Sequence, residues 1–334
     1  MILKLPLFVA EISANHCGNI NTAKKLMFEA KKYGADAIKI QTYTPETMTV
    51  NSKHKIFKIK KGLWKNYFMW DLYKKAHTPY EWHGELFKYA KKLKIVLFST
   101  PFDDTAVDLL ESLNCPIYKV ASFEITDLPL IKKIAKTRKP MIISTGMANL
   151  SEINDAVKTA RKNGCKDLTL LYCVSNYPSK ISDFNLNNIS ILKNKFNCRV
   201  GLSDHSKDNI VAISAIAAGA EMIEKHIDLK QKSNGLDAEF SISGKDILNF
   251  KKQILTAKNL LGKKEFIRNP SEDKNKIFRR SIYVIQNLKK GEKFSKKNIK
   301  VLRPALGLEP KYYDKLIGTK AKRDLIKNTP LNLI

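Results

Sequence analysis

Eight short apolar runs rich in β-branched residues recur along the chain, and amphipathic helical stretches separate most of them. The runs are FVAEIS (8–13), AIKIQTY (37–43), IVLFSTP (95–101), IYKVAS (117–122), PMIISTG (140–146), LTLLYCV (168–174), RVGLSDH (199–205) and MIEKHI (222–227). They are continuous, not alternating, which is the pattern of strands covered on both faces. Between them, stretches such as NTAKKLMFEAKKYG, DDTAVDLLESLN, DLPLIKKIAKTR and LSEINDAVKTARKNG carry the helical period, and several stop at Gly. Strands alternating with helices predict a parallel sheet. Eight such units fit a closed α/β structure, the (β/α)8 or TIM barrel, better than an open doubly wound sheet. The open sheet also lacks a GxGxxG turn after its first strand.

After LTAKNLLGKKEF the pattern changes. RNPSEDKNKIFRR is polar, and SIYVIQNLKKGEKFSKKNIKVLRPALGLEP with the tail KAKRDLIKNTPLNLI offers short strands and Gly or Pro turns. We expect a barrel over 1–265, a linker over 266–280 and a small β-rich domain over 281–334, which has little core of its own. The segment from about 44 to 80 is long and aromatic in GLWKNYFMWDLY. It reads either as a loop on the active face of the barrel or as a packed lid without chemistry.

The net charge of +28 admits nucleic acid, anionic lipid or an acidic substrate. The excess is mostly lysine spread over the whole chain and no folded nucleic-acid motif occurs, so compositional bias explains it better than a nucleic-acid partner. Five cysteines, Cys17, Cys115, Cys165, Cys173 and Cys198, include no CxxC pair. That points to reduced thiols and a cytoplasmic location. The opening MILKLPLFVAEIS has no cleavage pattern of a signal peptide, and no apolar run is long enough for a membrane span.

Polar side chains gather at the C-terminal ends of the runs, the rim where barrel enzymes hold their sites. Glu11, Lys39, Gln41, Thr100, Lys119, Ser122, Ser144, Ser175, Tyr177, Ser203, His205, Glu224 and His226 all fall there. A lysine in a buried strand is costly unless an anion or acid meets it. Lys39 and Lys119, with Ser and Thr hydroxyls around them, suit a phosphate, or else pair with Glu11 and Glu224 as structural ion pairs. No P-loop is present. His205 and His226 end neighbouring strands, so their imidazoles can converge on a divalent ion such as Mn2+ or Mg2+, with Zn2+ also open.

The stretches AEISANHCGNINTAKKLMFEAKKYGADAIKIQTYTPETMT, KKGLW, TPYEWH, FSTPFD, YKVASFE, STGMA, GLSDHS and EKHI resemble the sialic acid synthase family, and within it the pseudaminic acid synthases. RRSIYVIQNLKKGEKFSKKNIKVLRPALGL resembles that family's antifreeze-like, or SAF, domain, a β-clip. The resemblance implies a transferase that condenses phosphoenolpyruvate with 2,4-diacetamido-2,4,6-trideoxy-β-L-altropyranose and water, giving pseudaminic acid and phosphate by C–O cleavage. N-acetylneuraminic or legionaminic acid synthesis is the alternative within the family. It further implies His205 and His226 as metal ligands, and Lys39, Thr100, Lys119, Ser122, Ser144 and Ser203 as phosphoenolpyruvate contacts. Gln41, Tyr177, Glu224 and Asp237 stand on the sugar side. Glu11 and Glu224 are the candidate acid/base groups beside the two lysines. Ser175 stands where sialic acid synthases have Asn, so its phosphoenolpyruvate contact departs from the pattern. Arg303, in LRPALGL, resembles the SAF-domain arginine that reaches the neighbour's sugar across a domain-swapped homodimer. Readings from other classes are a non-catalytic carbohydrate or ice binder and a nucleic-acid binder.

Overall fold

The computed structural model describes residues 7–230 and 233–332. The first six residues of the expected 1–265 domain, two residues before Ser233 and the last two residues of the tail lie outside the described residues. The chain divides into two compact units, 1–262 and 263–334.

In the first unit, β1 (Leu7–Glu11), β2 (Ala37–Thr42), β3 (Val96–Pro101), β4 (Tyr118–Val120), β5 (Met141–Ser144), β6 (Leu168–Cys173), β7 (Arg199–Asp204) and β8 (Met222–Asp228) pair in parallel and in sequence order. β1 also pairs with β8, which closes the barrel. A two-residue strand that the apolar runs did not announce, β9 (Ile242–Ser243), adds in parallel to the end of β8.

The crossover helices follow from local chemistry. The Asn19 side chain accepts from the Asn21 and Thr22 amides and starts the helix Ile20–Lys32. Ala23, Leu26, Met27 and Ala30, at helical spacing, are its buried residues. Asn149 and Glu152 form a reciprocal capping box on the helix Leu150–Lys162, whose buried residues are Ile153, Ala156, Val157 and Ala160. Apolar strand residues and these helical stripes form one continuous core.

The segment 44–80 is ordered. It carries a small antiparallel hairpin closed by a bridge between Lys58 and Phe68, with the Ile59 amide donating to the Tyr67 carbonyl (2.9 Å) and the Asn66 amide to the Ile59 carbonyl (2.9 Å). Gly62 (φ 85°) and Asn66 (φ 77°) take the left-handed backbone that this tight hairpin needs. The helix Met69–Ala76 follows.

The second unit has its own small core around Ile282, Val284, Leu288, Phe294 and Ile299. β10 (Ser281–Val284) is the central strand, antiparallel to β11 (Ile299–Leu302) and β12 (Thr329–Pro330). Residues 266–280 are exposed and include the 3-10 run Pro270–Phe278. Among the described residues, no helix is long and apolar enough to cross a membrane.

Candidate active site

Side chains alternate along a strand, so Lys39 and Gln41 point to one face of β2, Ser203 and His205 to one face at the end of β7, and Glu224 and His226 to one face of β8. The register brings these rows together: Glu11 stands opposite both Lys39 and His226, and Ser203 opposite Glu224. They open into a cavity of about 260 Å³, a size suited to small molecules, not to a polymer. Lys39, Gln41, Lys119, Ser122, Ser144, Tyr177, Ser203, His205, Glu224, His226 and Asp237 all line it. Glu11, Thr100 and Ser175 are not in the lining; Glu11 and Thr100 contact Lys39, and Ser175 contacts Cys173 beside it. Arg303 belongs to the other compact unit, just after β11 and before a cis peptide to Pro304.

Both buried lysines meet carboxylates. Lys39 forms an ion pair with Glu11, lies 3.6 Å from Glu224 Oε1, and donates to Thr100 Oγ1 at 3.2 Å. Lys119 donates to Ser144 Oγ (2.6 Å) and the Val120 carbonyl (3.2 Å), while its nearest carboxylate oxygen, on Glu224, is 3.9 Å away. The structural ion pairs therefore exist, but unequally. Burial pushes the Lys39 ammonium down, and Glu11 and Glu224 more than offset that, so its pKa rises. Burial dominates at Lys119, whose pKa falls despite Glu224. An under-paired buried ammonium is a place for an anion.

The carboxylates separate in the same way. Burial raises Glu224, but Lys119, Lys39 and His226 outweigh it and hold the group down at about 2. Glu224 Oε1 accepts from Ser203 Oγ (3.2 Å), while Oε2 is buried without a hydrogen-bond partner. Glu11 is raised, because burial outweighs the pull of Lys39; its Oε1 accepts from the Ser13 amide (2.6 Å).

The two imidazoles converge, with ring centroids 5.3 Å apart. His205 Nδ1 faces the Val174 carbonyl (3.3 Å) and Cys173 Sγ (3.8 Å). The carbonyl contact is the kind of outer partner that fixes a metal-binding imidazole. Burial pushes the Cys173 thiol up, and His205 with the Ser122 and Ser175 hydroxyls brings it down to about 7. His226 Nδ1 is buried without a hydrogen-bond partner, 3.4 Å from Asp237 Oδ2. Among the described residues no group of three or more His, Cys, Asp or Glu could hold a metal ion. The donor set thus fits a cation that takes two protein nitrogens and completes its shell with water or substrate oxygens, and does not fit a closed protein cage.

Tyr177 stacks obliquely 4.5 Å from the His205 ring. Gln41 Nε2 donates to Ser13 Oγ (3.0 Å). Asp237 is positioned by Asn15, whose Oδ1 accepts from the Asp237 amide (3.1 Å) and whose Nδ2 donates to the Ile227 carbonyl (2.9 Å). His16 and His83 are structural. His16 Nδ1 accepts from the Gly18 amide and its ring packs edge-on to Trp82. His83 bridges Thr42 Oγ1 (2.8 Å) and the Pro79 carbonyl (3.0 Å).

One group escaped the sequence reading. Glu124 lines the cavity, its Oε2 has no hydrogen-bond partner, and burial raises its pKa to about 7 against the opposing pull of Lys119. Its place just past β4, two residues after Ser122, was the available signal. Of the two alternatives for segment 44–80, the structure shows the loop on the active face, where Met48, Ile59, Trp64, Leu72 and Tyr73 form an apolar wall of the cavity. The segment is therefore part of the site and not a bare lid.

Residues 26–266 match the NeuB family model and residues 279–332 the SAF domain model. The chain is 47% identical to the pseudaminic acid synthase of Helicobacter pylori, covering 99% of this chain and 98% of that protein. It is 42% identical to the pseudaminic acid synthase of Campylobacter jejuni serotype O:2, over 96% and 94%. A crystal structure of N-acetylneuraminic acid (sialic acid) synthetase from Leptospira borgpetersenii serovar Hardjo-bovis, in complex with citrate, is similar at a TM-score of 0.73 and 31% identity, covering 81% of this chain and 90% of that one. A closed eight-stranded barrel followed by a SAF domain, matched over nearly its whole length by such synthases, places this chain in the NeuB family.

Proposed function

We propose that the chain is a pseudaminic acid synthase, which joins phosphoenolpyruvate C3 to the open-chain aldehyde of 2,4-diacetamido-2,4,6-trideoxy-β-L-altropyranose. The observation that carries this reading is the meeting of two buried ammonium groups and two imidazoles in one small cavity, on a chain 47% identical to such a synthase.

In this reading Lys119 and Lys39 bind the phosphate, with Ser144, Ser122, Ser203 and Thr100 as hydroxyl partners, and Ser175 close by. The unequal pairing of the lysines supports it, since Lys119 gains most from an incoming anion. His205 and His226 would hold a divalent cation, Mn2+ or Mg2+, which when bound supplies a Lewis acid to the aldehyde oxygen. Phosphoenolpyruvate and that cation bring nearly compensating charge, so the existing balance of carboxylates and ammoniums survives loading.

Water adds at C2 of the oxocarbenium left by C–C bond formation. The tetrahedral intermediate then collapses: the C2 hydroxyl becomes the ketone and its proton goes to the departing phosphate, the bond from C2 to the phosphate oxygen breaks, and phosphate leaves with that electron pair between the two ammoniums. A carboxylate within reach of the water takes its proton. Glu11, paired with Lys39, and Glu224, between Lys39, Lys119 and Ser203, are the two carboxylates in place for that role. Gln41, Tyr177 and Asp237 orient the sugar, and Arg303 of the SAF domain completes its site from a second copy of the chain in a domain-swapped homodimer.

The test is phosphate release with a panel of hexoses, with and without chelator. Turnover of the diacetamido altrose sugar, lost with chelator, is expected. Preference for N-acetylmannosamine overturns the substrate, and full activity in chelator overturns the metal.

A further inference from the structure

The cavity is built from two chemically different sources. Its ammoniums, hydroxyls and imidazoles come from the barrel strands and the residues just after them, whereas Met48, Ile59, Trp64, Leu72 and Tyr73 come from segment 44–80. Trp64 is tethered in place: its Nε1 donates to the Leu236 carbonyl (3.0 Å), and its ring centroid lies 5.3 Å from Tyr177. Tyr177 in turn packs on His205. The apolar surface therefore begins next to the imidazole pair, where the sugar aldehyde must sit. Met48, Ile59 and Trp64 are only half-buried, so they retain area for a ligand to cover.

We infer that Met48, Ile59 and Trp64 form the pocket that reads the methyl groups of the sugar, selecting a 6-deoxy hexose with a second acetamido group over hexoses hydroxylated at those positions. This rests on the substrate reading above. The aldehyde carbon is tied to the imidazoles and the enol phosphate, so the far end of the sugar extends away from the polar groups. There the substrate carries a C6 methyl and the methyl of its C4 acetamido group, which bury well against Ile, Met and indole. A hydroxyl placed in the same pocket gives up its water and finds no partner. The three side chains act by specificity and not by catalysis, because none offers a proton or a charge.

The experiment compares kcat/KM for two sugars that differ by one oxygen, 2,4-diacetamido-2,4,6-trideoxyaltrose and its 6-hydroxy counterpart, in the wild type and in Ile59→Asn and Trp64→Ala. N-acetylmannosamine is the third substrate. In the wild type the 6-deoxy sugar is preferred by about 10-fold or more, as expected for one hydroxyl in an apolar pocket. In Ile59→Asn that preference falls toward about 1, and in Trp64→Ala the 6-deoxy sugar loses about 10–100-fold while its 6-hydroxy counterpart loses far less. KM for phosphoenolpyruvate stays within about 2-fold in both, and circular dichroism melting confirms that the half-exposed hairpin substitution leaves the barrel folded. Equal losses for both sugars, or an unchanged preference, overturn the pocket while leaving the synthase reading intact. A wild type that prefers N-acetylmannosamine overturns the substrate reading and the pocket together.

Discussion

At the residue scale, a buried ammonium and a half-buried carboxyl with opposite deficits control the site. Lys119 has hydroxyl and carbonyl partners, but its carboxylate contact, to Glu224, is long at 3.9 Å. Lys119→Met removes the charge and keeps the stem, so we expect phosphate release to fall by about 100-fold or more, measured as single-turnover release at saturating phosphoenolpyruvate. Glu124 carries the other deficit, a carboxyl with an unpartnered oxygen and a pKa raised to about 7. Its unfolded value lies near 4.5, so between pH 4.5 and 7 the folded chain holds a proton that the unfolded chain has lost, and stability falls as pH rises through that window. Glu124→Gln mimics the neutral form. It is expected to match the wild type near pH 4.5 and to be more stable by about 1–3 kcal/mol at pH 8, in urea titrations at both pH values. An equal difference at the two pH values contradicts the raised pKa.

At the element scale, the separation of the two imidazoles depends on how the ends of β7 and β8 are fastened. Asp204 and Lys225, each next to one of the histidines, form a fully buried ion pair (2.8 Å) and are partners in the strand register. Lys225 also donates to the Ser206 carbonyl, and Asp204 accepts from the Ser206 amide (2.8 Å). Lys225→Met leaves a carboxylate buried without its cation and is expected to cost about 3–5 kcal/mol. Lys225→Met with Asp204→Leu removes both charges and is expected to recover most of that loss in the urea midpoint. Failure of the double variant to recover would assign the cost to packing instead.

At the scale of the whole molecule, the chain is two units with separate apolar cores. The barrel unit contains every candidate site residue except Arg303. Ending the chain at Gly262 is therefore expected to leave a barrel that melts cooperatively but does not condense its substrates, because Arg303 and its domain are gone. Calorimetry reports the fold and phosphate release the chemistry; a fully active shortened chain removes Arg303 from the reaction.

The sequence by itself determined the strand–helix alternation, and hence the closed barrel. Continuous apolar runs such as LTLLYC leave no solvated face, and eight of them at crossover spacing close on themselves. It also placed Lys39, Lys119 and His226 within strands and His205 just after one, and the period of 2 in a strand sets the face on which each stands. Only the tertiary structure decided which carboxylate meets which lysine, because Glu11 and Glu224 approach Lys39 from different strands whose register is not local information. It alone decided that one carboxylate oxygen of Glu124 is buried without a hydrogen-bond partner and that Trp64 reaches the Leu236 carbonyl, 172 residues away in sequence. Loop side chains take their direction from what they pack against, so nothing in a local pattern of residues specifies where they end.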